Sequence, residues 1–99
     1  MAHHSITLRV DAQGNIQTEP RPIVVAPGDT VAWKSDQGDV SVSFDDSPFD
    51  GDHRFAGQKG RNTTAGKIRA DVPRGKFFEC KASVGGKSGE KVYGVEIVP

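Results

Sequence analysis

Residues 76–98 read KFFECKASVGGKSGEKVYGVEIV, and two incompatible structures compete for them. Gly86-Lys87-Ser88 has the ending of a phosphate-binding loop. That loop needs a glycine, four residues and then Gly-Lys-Ser/Thr, so that successive backbone amides wrap the phosphates. The position required for the first glycine is Lys81. The loop must also open a helix, whose N-terminus completes the anion site. Here the next residues, EKVYGVEIV, alternate like a strand and include β-branched side chains. Both requirements fail, and the stretch reads as two strands joined by a glycine-rich turn. Alternation puts Phe78, Cys80 and Ala82 on one face of the first strand, and Tyr93, Val95 and Ile97 on one face of the second.

The same period of two runs through the chain. SITLRV aligns Ile6, Leu8 and Val10, and DAQGN then supplies turn chemistry. TVAWKS puts Val31 and Trp33 on one side, VSVSF aligns Val40, Val42 and Phe44, and GKIRADV carries Ile68. APGD, DQGD and VPRG stand between these runs as turns, and no window has a helical period. The pattern predicts seven to eight short strands in an all-β, two-sheet sandwich or barrel. Residues 45–62, DDSPFDGDHRFAGQKGRN, break the rhythm. They predict a long connection holding a short helical turn or an irregular strand, and long connections in small domains usually carry function.

A chain of 99 residues makes one domain, 1–99, able to bury a core without disulfides or a structural metal. Its one cysteine forms no internal bridge, so cysteine usage does not reveal the redox compartment. The formal charge is zero, which excludes the basic footprint of a nucleic-acid binder, but the halves differ. Residues 1–50 hold three Lys/Arg against eight Asp/Glu, and residues 51–99 hold ten against five. No stretch has the length and apolarity of a membrane span, and no apolar signal segment opens the chain. The beginning, MAHHSITL, fits a cytoplasmic protein, or a periplasmic or secreted one whose leader has been removed.

VAPGDTVAWKSDQGDVSVSF, VPRGKFFECKAS and the final VYGVEIVP together resemble the cupredoxins, the plastocyanin-like copper proteins, over residues 20–99. The resemblance implies a Greek-key sandwich. It also implies a first histidine ligand near Asp39 or Val40, a thiolate at Cys80, and a second histidine at Ala82 or Ser83 in the loop that follows. An axial methionine would fall near Lys91. A blue-copper site needs two imidazoles and a thiolate in a trigonal plane, with a weak axial ligand. Of that set only Cys80 is present, and the sole methionine is Met1. Cys80 is thus a former ligand position, and its place on an inward face gives it the character of a small buried hydrophobe.

Three histidines, His3, His4 and His53, stock the chain poorly for a catalytic triad or a zinc site. His53 follows Asp50 and Asp52, but DDSPFDGDH misses the spacing of a calcium loop and reads as a solvated acidic loop, with a weak cation site as the alternative. At the N-terminus, a free amine, two amides and a third-residue imidazole form a square-planar set for Cu(II) or Ni(II). With Met1 retained the imidazole is that of His3; with Met1 removed it is that of His4. Those ligands would precede a first strand starting at Ser5. The competing reading is that the paired histidines are a remnant of cloning.

The expectation is therefore a non-catalytic, cupredoxin-like binding or interaction domain without a standard copper site or other cofactor. Its partner would be a protein or small molecule rather than nucleic acid. The expected contact regions are the 45–62 loop, with Asp50, Asp52, His53 and Arg54, and the turns VPRG and VGGKSGEK. The alternative is a copper-binding or electron-transfer protein with a non-standard site.

Overall fold

A computed structural model describes residues 2–19, 23–51, 53–88 and 93–99. Strands β1 (His3–Val10), β2 (Ile16–Glu19), β3 (Val24–Val25), β4 (Thr30–Lys34) and β5 (Val40–Phe44) are followed by β6 (Arg54–Gly57) and β7 (Gly66–Lys67). Then come β8 (Phe77–Val84), β9 (Lys87–Ser88) and β10 (Tyr93–Ile97). The fold is all-β, as the alternation requires. It has more strand segments than the seven to eight expected, because β3, β7 and β9 are two-residue pieces too short to show a period. GKIRADV does not form the longer strand expected of it: only Gly66–Lys67 is strand, and Ile68 makes an isolated bridge to Phe49.

The strands form two mixed sheets. One has the order β2-β1-β4-β7 and the other β3-β10-β8-β5-β6, with β9 added against β8. The pairs β1·β4 and β3·β10 are parallel, and the remaining pairs are antiparallel. Alternation sends Ile6 and Leu8 of β1, Val40, Val42 and Phe44 of β5, and Phe78, Cys80, Ala82 and Val84 of β8 into one core. A cluster of rings fills one part of it: Trp33 stands 4.9 Å from Phe55 and 5.8 Å from Phe49, and Phe44 stands 5.4 Å from Phe49. Tilted and edge contacts at such distances add to what area burial alone gives.

The 45–62 segment is thus a correction to the sequence reading. It contains the regular strand β6, paired with β5 from Val40↔Gly57 to Ser43↔Arg54. It also delivers Phe49 and Phe55, each 2 % exposed, to the core. Its irregular spacing hid them because Phe49 is held by a bridge rather than by a strand.

The turn at Val84–Lys87 settles the opening stretch. Val84 pairs with Lys87, and Gly85 and Gly86 have φ of +59° and +81°. Two positive φ values make the tight hairpin turn that matches strand twist, and glycine adopts them without steric cost. Gly86-Lys87-Ser88 is therefore hairpin and strand.

Candidate interaction surface

The copper-ligand positions implied by the resemblance are not brought together. Cys80 pairs with Phe44 on β5, whereas Val40 pairs with Val84 at the far end of the same ladder. Asp39 is five residues along the chain from Phe44, which at strand rise separates it from Cys80 by about 16 Å. Ala82 is buried in β8 opposite Val42. Ser83, expected in the loop after Cys80, lies within β8 and pairs with both Ser41 and Ser88. The strand continues past Cys80 because Ala82 and Val84 keep the alternation running. Lys91 lies outside the described residues. Burial, with the neighbouring Glu79 carboxylate, pushes the Cys80 thiol up to about 12, far from the thiolate that binds a soft metal. The residues present do not fit a trigonal copper site.

His3 and His4 do not precede the first strand. They open β1, where His3 pairs with Thr30 and His4 with Val31. His3 Nδ1 is hydrogen-bonded to Thr30 Oγ1 at 2.7 Å, and His4 Nε2 donates to Asp29 Oδ2 at 2.9 Å. Asp29 is buried, and it also accepts from the backbone N–H of Ala2 at 2.9 Å and of Ala26 at 3.0 Å. Burial alone would raise its pKa. The donors from Ala2, His4 and Ala26 outweigh that and hold the carboxyl at about 2, below its ordinary 3.8. This corner ties the start of β1 to the Pro27-Gly28 turn, which Asp29 N closes onto Ala26 O at 3.1 Å. Its geometry is that of a clamp. The N-terminal metal set would have to withdraw Ala2, together with the His3 or the His4 imidazole, from these bonds.

The acidic loop is dispersed. Asp50 is exposed and its N–H donates to Lys67 O; Asp52 lies outside the described residues. His53 is exposed and its carbonyl accepts from Phe44 N, while Arg54 projects from β6 opposite Ser43. Among the described residues no three His, Cys, Asp or Glu side chains form a group able to hold a metal ion. None of the helices that could cross a membrane is present among them.

A different surface emerges on the outer face of the second sheet. The Phe77-Phe78 pair begins β8, and because successive side chains point to opposite faces, burying Phe78 forces Phe77 outward. Phe77 is 49 % exposed. Its partner across β10 is Glu96, which in turn pairs with the exposed Val24 of β3. Gly94 lies diagonally beside Phe77: a Cβ there would come within 2.7 Å of Phe77 Cζ and would overlap Phe78 O. The aromatic ring therefore rests its tip on bare glycine backbone. Beside it runs a shallow groove of about 300 Å³ lined by Ser43, Asp45, Asp46, Phe77, Glu79 and Lys81. Lys76 lies 2.8 Å from Asp46 and 4.8 Å from the Phe78 ring centre. The lysine holds the Asp46 carboxyl below its ordinary range.

Sequence reasoning missed this surface. The signal was present in two adjacent phenylalanines on an alternating strand, one of which must face outward, and in a glycine interrupting the last strand. No family model matches the chain, and no curated protein matches its sequence.

Proposed function

We propose that the protein is a non-catalytic binding domain of cupredoxin-like, Greek-key type without the mononuclear copper site, and that it meets its partner through the outer face of β8 and β10. One observation carries the reading: Phe77, a large apolar residue, is half exposed above Gly94 at the side of an open groove. Full burial of such a side chain is worth about 1.5–3 kcal/mol, of which the half-exposed ring still forgoes a part, and aromatic side chains buried at an interface commonly anchor it. The alternative, a metal or electron-transfer role for Cys80, is weakened by its burial in mid-strand and by its distance from the other family positions.

The test is a displayed-peptide selection against the wild-type protein with counter-selection on Phe77→Lys. Recovery of peptides that bind the wild type and lose binding in the variant supports the reading. Binders indifferent to Phe77→Lys refute it. Copper is tested separately: Cu(II) should give no intense blue thiolate band, and a blue band lost in Cys80→Ser would restore the copper reading.

A further inference from the structure

We infer that the exposed ring of Phe77 receives a cationic side chain, so that the partner presents a Lys or Arg within a short apolar segment. This rests on the reading of the β8–β10 face as the contact surface. Charged side chains surround the ring. Glu96 is directly opposite Phe77 across the ladder, a relation that puts the two Cβ atoms about 5 Å apart. Glu79 follows two residues along β8 on the same face, about 7 Å away at strand rise. Asp45 lines the same groove.

Among the described residues no ion pair engages Asp45, Glu79 or Glu96. Among the described residues, two lysines flank these carboxylates on β8 and just before it. Lys76 is bound to Asp46, and Lys81 lies four residues along β8, beside the row formed with Ser43 and Arg54. Among the described residues the carboxylates of Glu79 and Glu96 therefore stand beside Phe77 without an ion pair, next to a ring whose π-face is itself negative. A cation seated there gains from both, since ring quadrupole and carboxylates attract the same sign. Phosphates and acidic peptides meet repulsion at the same point. Val24, 39 % exposed and in register with Glu96, extends the apolar strip and gives the segment's aliphatic residues a seat.

The experiment follows the backbone amides of ¹⁵N-labelled protein during titration with three probes. These are acetyl-Leu-Arg-Leu-Arg-Leu-amide, its Glu counterpart and the neutral sugar maltohexaose. The arginine peptide should shift the amides of Phe77, Glu79, Gly94 and Glu96, more weakly at high salt. Phe77→Leu keeps an apolar side chain but removes the quadrupole, and should weaken that binding about two- to fivefold. Glu79→Gln with Glu96→Gln should remove most of the salt dependence.

Unchanged affinity in Phe77→Leu overturns the cation inference, as does an arginine peptide that leaves these amides unmoved. Equal or stronger shifts from the glutamate peptide or the sugar also overturn it, while leaving the contact surface itself standing. All three substitutions lie on the exposed face, and the amide spectrum of each variant reports whether the fold is kept.

Discussion

Replacing Asp29 by Asn tests whether the corner between β1 and β4 is held by a charged carboxylate. In the wild type both carboxylate oxygens accept, Oδ1 from Ala2 and Oδ2 from His4 and Ala26. An amide offers one oxygen and turns an N–H₂ toward a donor, so at least one bond is lost and its partner is left facing another donor. The size follows from the carboxyl's acidity. A fall from the ordinary 3.8 to about 2 corresponds to about 2 kcal/mol of preference for the ionised form in the folded state. Because the folded value is the lower one, this stability is complete above about pH 4 and is lost as pH falls through about 2. Asp29→Asn should therefore cost about 2 kcal/mol at neutral pH, a drop in Tm of roughly 8–16 °C for a domain of this size. The deficit relative to wild type should close as pH approaches about 2. Urea unfolding followed by the fluorescence of Trp33, the chain's only tryptophan and a buried one, measures both. A loss below about 0.5 kcal/mol at neutral pH, within the range of ordinary surface substitutions, would refute the clamp. So would a loss of full size that persists unchanged in acid.

Phe55→Ala should cost about 3–5 kcal/mol, because Phe55 is fully buried against Trp33 and Phe49; denaturant midpoints check it, and a surface-sized loss would mean the ring cluster is misplaced. Gly94→Ala should lower Tm and disturb the amide of Phe77, since the new methyl overlaps Phe78 O and the ring tip; an unchanged Tm would contradict the close approach. Cys80, with a thiol at about 12 and 7 % exposure, should resist a thiol-specific reagent in the native protein and react at once in urea; fast native labelling would place it at the surface. Cu(II) chelated by the N-terminal amine, amides and His3 or His4 should lower Tm, because it withdraws Ala2 from Asp29 and with it either His3 from Thr30 or His4 from Asp29; a Tm unchanged with bound metal would show that the clamp and the chelate coexist.

The local pattern determined the all-β class, the inward face of β5, β8 and β10, and the hairpin at Gly85-Gly86. Each of these depends on residues that are near neighbours in the chain: a period of two, or glycines at the two centres of a turn. The same pattern makes Cys80 a core residue, and burial there raises its thiol pKa. What joined distant segments could not be read this way. Pairing register alone separates Asp39 from Cys80 and turns a sequence that lines up with a ligand loop into mid-strand residues. His4 looked like a free chain end until its partner, 25 residues on, folded against it. Phe49 joined the core through a bridge to Ile68, and Phe77 became a surface platform only when Gly94 of another strand came beneath it. These outcomes belong to the tertiary structure because a one-residue change in strand register reverses every face, and register is set by the packing of the whole core rather than by any one strand.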